Sequence, residues 1–174
     1  FNVGIDKRTR TGFGFGASYS YGNSLVANEG TSSVNLSQWR FIEAVNGRNT
    51  VGLSTSDFDQ AHRVLTSLSK KFTYLKGKLA TTISLTYIGQ SGTPLSYVYV
   101  TSMTRDDGTA GGNDMIYIPT AAELQGQTFL SNTVGTTTYT PQQQKDALEA
   151  YIQKDKYLSK NRGKFADRNG ARLP

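Results

Sequence analysis

The sequence predicts an all-β chain. It reads as part of a transmembrane antiparallel β-barrel, with about four spanning strands and two long loops, one carrying a short helix. Three observations lead there. First, Gly12 to Gly22 alternates Phe13, Phe15, Ala17, Tyr19 and Tyr21 with Gly14, Gly16, Ser18 and Ser20. Successive side chains of a strand point to opposite faces, so one face is aromatic and the other small and polar. A tilted strand crossing a bilayer needs about 9–11 residues of this kind, with aromatics near the headgroups. Second, the connections run short turn, long loop, short turn, long loop, as in outer-membrane barrels with tight periplasmic turns and long extracellular loops. Third, no apolar run approaches the roughly 18 residues a membrane helix requires, so any crossing must be made by strands.

Each element follows from its own pattern. Phe1, Val3 and Ile5 alternate with Asn2, Gly4 and Asp6, predicting a strand over 1–7. Thr9–Thr11 with Gly12 forms a hairpin turn in which glycine takes a positive φ. The second strand covers 12–22. Residues 23–59 are polar and rich in Asn, Ser, Thr and Gly, hence a long loop, with Trp39–Ala44 forming one helical turn or a short strand. A third strand over 62–72 places Val64, Thr66, Leu68 and Phe72 on one face, interrupted by Lys70. Thr73–Lys78, containing Gly77, is again a short turn. The fourth strand, 79–89, sets Leu79, Thr81, Ile83, Leu85 and Tyr87 against Ala80, Thr82, Ser84, Thr86 and Ile88. Residues 90–174 form the second long loop, with short strands expected at Ser96–Thr101 and at Met115–Ile118, the latter ended by Pro119. Thr140-Pro-Gln-Gln opens its helix: Thr140 is the N-cap, Pro141 the first helical residue and Gln143 the reciprocal member of a capping box. Ala147, Leu148, Tyr151 and Ile152 share one face, and the helix is expected to end near Lys156.

Composition narrows the chemistry. The 174 residues contain no Cys, which removes disulfide frameworks and thiolate sites. The net charge is +6, with seven basic residues against Asp155 and Asp167 between Lys154 and Arg172. Such a segment attracts nucleic acid or anionic lipid, or is simply a solvated loop; without a nucleic-acid-binding motif the last is expected. Gly12-Phe-Gly-Phe imitates an RNA-recognition strand, but Thr11 stands where a base is needed and Gly16 where an aliphatic is. Four spanning strands cannot close a barrel, for which about 8 is the minimum. The chain is therefore expected to be a piece of something larger.

Ser56-Asp-Phe-Asp-Gln-Ala-His-Arg-Val resembles a motif of TonB-dependent outer-membrane transporters, in the Oar-like group with a carboxypeptidase-regulatory-like domain. The likeness continues through Gly12–Tyr21, Ile83–Tyr97, Asn113–Pro119 and Tyr157–Arg172 and so covers nearly the whole chain. It implies the C-terminal part of a barrel of about 22 strands around an N-terminal plug, in the outer membrane of a Gram-negative bacterium of the Bacteroidota. The plug, the TonB box and the final strand lie outside this sequence, so transport is expected of the parent. The resemblance also implies outer-membrane lipid, the TonB complex, a solute ligand and a surface-exposed lipoprotein or other outer-membrane protein as partners, and no nucleic acid.

On that expectation Phe13, Phe15, Tyr19, Tyr21, Leu79, Ile83, Leu85 and Tyr87 face lipid, while Ser18, Ser20, Thr82 and Ser84 line the lumen. No catalytic, cofactor or metal site is expected. His62 is the only histidine, near Asp57, Asp59 and Arg63, with Ser56 and Ser67 as nucleophiles by type alone; anchoring a loop suits these residues better than hydrolysis. Asp106, Asp107 and Asp114 offer oxygen ligands for calcium but lack the full spacing of a calcium loop. Two other functions fit less well: an outer-membrane adhesin or structural barrel without transport, and a soluble secreted β-rich binding module.

Overall fold

The computed structural model describes residues 1–104 and 112–173. In chain order the elements are β1 (Asn2–Arg8), β2 (Phe13–Tyr21), β3 (Leu25–Val26), α1 (Asn35–Arg40), β4 (Ser54–Thr55), β5 (His62–Tyr74), β6 (Leu79–Gln90), β7 (Pro94–Leu95), β8 (Tyr117–Ile118), α2 (Ala121–Gly126), β9 (Asn132–Val134), β10 (Thr137–Tyr139), α3 (Pro141–Lys154), α4 (Lys156–Lys160), β11 (Lys164–Phe165) and β12 (Ala171–Arg172). The fold is mostly β, with antiparallel sheets and a few short helices, and no closed barrel forms among the described residues. The chain divides into two compact units. One comprises Phe1–Leu25, Thr55–Pro94 and Arg172–Pro174; the other, Val26–Ser54 and Leu95–Ala171.

The first unit is a four-stranded antiparallel sheet in the order β1-β2-β5-β6. Two tight hairpins build it. In the first, the Thr9 amide donates to the Phe13 carbonyl at 2.8 Å, and Gly12 sits at φ 80°. A β-carbon at Gly12 would lie 2.7 Å from the Lys71 carbonyl oxygen, so this corner admits only glycine. In the second hairpin Leu75, Lys76 and Gly77 are all left-handed, with φ of 54°, 54° and 86°. The four strands occupy the stretches the alternation predicts, and their pairing is continuous: Val3 opposes Tyr19, Tyr19 opposes Val64, and Val64 opposes Gly89.

The second unit has its own core of Met115, Ile118, Ile152, Leu158 and Ala166, flanked by half-buried Tyr97, Ile116 and Leu148. α3 begins as predicted: the Thr140 hydroxyl accepts from the Gln143 amide, Gln143 answers to the Thr140 amide at 2.9 Å, and Pro141 occupies the first turn. The expectation of one short helix across the two loops needs correction, since the unit holds four among the described residues. The Thr120 and Glu123 pair caps α2 in the same reciprocal way, a Thr-x-x-Glu signal legible in the sequence. The predicted end of α3 near Lys156 also moves. Asp155 breaks the helix in extended geometry and starts α4, its carboxylate accepting from the Tyr157 and Leu158 amides. The expected strand over Ser96–Thr101 reduces to an isolated bridge of Val98 with Met115, and Trp39 lies in α1.

Candidate functional site

The register of the sheet sorts its side chains into two faces. Pairing places Val3, Tyr19 and Val64 in one row, Ile5, Ala17, Thr66 and Tyr87 in the next, then Lys7, Phe15, Leu68 and Leu85, then Phe13, Lys70 and Ile83, then Phe72 with Thr81 and Tyr74 with Leu79. This is one continuous apolar face. Aromatics gather at its two ends: Phe13, Phe15, Phe72 and Tyr74 toward the hairpins, and Phe1, Tyr19, Tyr21 and Tyr87 toward the loops. Aliphatic residues share these rows: Ile83 lies in the row of Phe13, Leu68 and Leu85 in that of Phe15, Ile5 in that of Tyr87, and Val64 opposite Tyr19. The opposite face carries Asn2, Gly4, Asp6, Ser18, Ser20, Arg63, Ser67, Ser69, Thr82, Ser84 and Thr86.

The apolar face is uncovered. Ile83, Leu85 and Tyr87 are 63%, 68% and 63% exposed. Monomeric soluble proteins rarely leave so contiguous an apolar surface open. The outer edges of β1 and β6 have no strand partner among the described residues. Such edges are templates for further strands.

His62 stands at the loop end of the apolar face. Its Nδ1 lies 2.6 Å from the Tyr19 hydroxyl, and its ring packs against Tyr19 and Tyr21 with centroids 6.0 and 5.1 Å away. The His62 backbone amide donates to the Ser91 hydroxyl at 3.0 Å, and the Ser67 side chain is on the other face. Asp59 anchors the chain as it enters β5. Its buried carboxylate accepts from the Ser24 amide at 2.8 Å and from the Arg172 guanidinium, and Arg172 also donates to the Asp59 and Gly92 carbonyls at 3.1 Å. Ser56 is buried beside it, its hydroxyl accepting from the Phe58 amide.

In the second unit Arg162 and Arg168 are engaged internally. Arg162 makes a two-pronged pair with Glu149 at 2.7 and 3.0 Å, and Arg168 donates to the Val26 and Gly52 carbonyls and the Ser54 hydroxyl. Asp106 and Asp107 lie outside the described residues. Asp114 is buried, and its carboxylate receives the Met103 and Thr104 amides and the Ser102 and Thr104 hydroxyls. That set of donors closes a loop and occupies the oxygens a calcium ion would need. Among the described residues no three His, Cys, Asp or Glu side chains converge.

A cleft of about 320 Å³ opens between α3 and the segment around β8, lined by Tyr99, Ile116, Tyr117, Phe129, Leu148 and Tyr151. Its lining is rich in aromatics, and only Leu148 and Tyr151, which share a face of α3, were legible in the sequence as apolar neighbours. Beside it, Asp155 receives the Tyr97 hydroxyl at 2.7 Å. Burial alone raises the Asp155 carboxyl, but hydrogen bonds from Leu158, Tyr97 and Tyr157 outweigh it and hold the group below the ordinary carboxylate range. Burial raises the Tyr97 hydroxyl, and its bond to Asp155 raises it further. Glu149 is lowered by its hydrogen bonds from Arg162 and Gln153.

A carboxylate depressed on folding contributes stability above its unfolded value and loses it as pH falls through the folded value. The second unit is therefore expected to hold a constant melting temperature from neutral pH to about 5 and to lose stability below about 4. Trp39, the only tryptophan, lies in this unit and reports its unfolding by fluorescence. Asp155→Asn should flatten that acid limb. A variant whose melting falls with acid as steeply as the unsubstituted protein would remove Asp155 from the explanation.

Compared with protein-family models, curated proteins and solved structures, the chain finds no match.

Proposed function

We propose that this chain is a segment of a TonB-dependent outer-membrane receptor that imports a bulky solute, its sheet forming part of the wall of a larger barrel. One observation carries the membrane reading: an uncovered, largely apolar face that runs across four paired strands, rich in aromatics toward both the hairpins and the loops and interrupted by Lys7 and Lys70. Outer-membrane barrels present to lipid an apolar band about 25 Å tall between two aromatic girdles. β6, of 12 residues, spans about 40 Å along its axis at about 3.3 Å per residue, which a tilt of about 45° reduces to about 28 Å. The free edges of β1 and β6 support the larger barrel, because a strand edge facing hydrocarbon leaves its backbone groups unsatisfied.

The assignment to receptors rests on sequence. Ser56–Val64 resembles the motif by which Oar-like members enter a late barrel strand, and Asp59, Ser56 and His62 of that motif hold the loop where it meets β5. Lipid meets Phe13, Phe15, Tyr19, Tyr21, Leu79, Ile83, Leu85 and Tyr87; Ser18, Ser20, Thr82 and Ser84 line the lumen. The second unit forms the outward-facing loops, and its aromatic cleft contributes to contact with solute or with a surface lipoprotein.

The test is purification of the protein from its native membrane, with intact mass and crosslinking to TonB. A detergent-dependent species several-fold heavier than 19.0 kDa that crosslinks to TonB is expected. A detergent-dependent barrel that does not crosslink would contradict transport and indicate an adhesin or structural barrel. A soluble 19.0 kDa species would contradict the membrane reading altogether.

A further inference from the structure

The hairpin end of the sheet is intensely basic. Lys7 and Arg8 end β1, Arg10 sits in the first turn, Lys70 and Lys71 approach the end of β5, and Lys76 and Lys78 lie in the second turn. No Asp or Glu falls within residues 7–13 or 70–79. Seven of the chain's 19 basic residues thus collect in two neighbouring hairpins. At the loop end of the same unit Asp57 and Asp59 offset Arg63 and Arg172. The charge is segregated along the strands.

Two of these cations stand on the apolar face, where a charge is least expected. Lys7 opposes Phe15 across the β1–β2 pair, and Lys70 opposes Phe13 across the β2–β5 pair. Lys70 does not lie flat on the aliphatic band. Its ammonium donates to the Thr11 carbonyl of the first turn at 2.9 Å and sits 5.9 Å from the Phe72 ring centroid. The charge is drawn toward the end of the sheet while its stem runs among aromatics. Lysines at a membrane boundary behave this way, keeping stem in hydrocarbon and head among polar groups. One bond to Thr11 leaves the ammonium further donors.

We propose that the hairpin rim of the apolar face binds anionic phospholipid headgroups of the leaflet it faces, with Lys7 and Lys70 contacting the phosphate and Arg10, Lys76 and Lys78 supplying the surrounding positive field. The proposal rests on the membrane reading of the sheet. Charge complementarity commits it to an anionic lipid: a zwitterionic headgroup offers no net charge to a rim that carries seven cations and no carboxylate.

The test places the full-length protein in nanodiscs of equal phosphatidylglycerol and phosphatidylcholine and measures by native mass spectrometry which lipid stays bound. Enrichment of phosphatidylglycerol is expected, falling about fivefold for each lysine removed in Lys7→Gln and Lys70→Gln. Lys154→Gln with Lys160→Gln, in the second unit, should leave the enrichment unchanged. Should the strand variants fail to insert, Arg10→Gln with Lys78→Gln alters only the turns and should still lower the enrichment. An inserted protein that retains both lipids equally would overturn the proposal while leaving the membrane reading intact. Loss of the bound lipid to millimolar inorganic phosphate would overturn it too, reducing the rim to a site for small anions. A protein that stays in solution and never enters the nanodisc would sink the membrane reading itself.

Discussion

Leu85→Arg is expected to cost about 2–4 kcal/mol and to deplete the folded protein in membranes. That is the price of a guanidinium near the middle of the bilayer on the lipid side of a barrel. Leu85 lies halfway along β6, opposes Leu68 and is 68% exposed, so most of its surface is left uncovered. That exposure makes the substitution decisive. On a water-facing sheet, an exposed leucine replaced by arginine changes stability within about 0.5 kcal/mol. Thr86→Arg, one residue on and facing the other way, should be tolerated, because on the proposed reading that face lines a wet lumen. The measurement is the urea midpoint for unfolding from lipid vesicles. Equal midpoints for the two variants would contradict the assignment of faces.

The second large effect is expected at Asp59. Asp59→Ala strips the Ser24 amide and the Arg172 guanidinium of a shared acceptor buried to 3% of its side-chain surface. Breaking a fully buried pair costs about 3–5 kcal/mol. Arg172 retains 30% of its side-chain exposure, so water recovers part of the loss and about 2 kcal/mol is expected. Hydrogen exchange at the Ser24 amide should accelerate, and the melting temperature should drop. Asp59→Asn, which keeps an acceptor for Ser24, should fall between. Unchanged exchange in Asp59→Ala would show that the entry to β5 is held by something else.

What could be read from the sequence follows the range over which each signal acts. The four strands were legible because a period of two is local, and each hairpin turn sets the register of its own pair, β1 with β2 and β5 with β6; the pairing of β2 with β5 joins residues far apart in sequence and was not legible. Gly12 was legible for the same reason, since a tight corner needs a left-handed residue. The cap at Thr140 was readable because capping boxes span four residues, and the matching signal at Thr120 and Glu123 was there to be read. The organisation of the second unit was not. Its polar stretches look like plain loop because their structure depends on partners far apart in sequence: Arg168 on Val26 and Gly52, Arg162 on Glu149, Asn169 on Ser96. Asp114 shows the consequence. Read locally it suggests a cation ligand, whereas the fold fills its oxygens with the amides and hydroxyls of residues 102–104.

The central claim is that one face of the sheet touches lipid and the other water. The chain has no native cysteine, so single cysteines can be placed at successive positions from Thr82 to Ile88 and spin-labelled in the full-length protein in vesicles. Collision with oxygen, which concentrates in hydrocarbon, should peak at 83, 85 and 87; collision with a water-soluble nickel chelate should peak at 82, 84 and 86. The same period of two in opposite phase for the two reagents is the predicted result. Equal access of the nickel chelate to labels on both faces would mean that the sheet lies in water, and the account would fall.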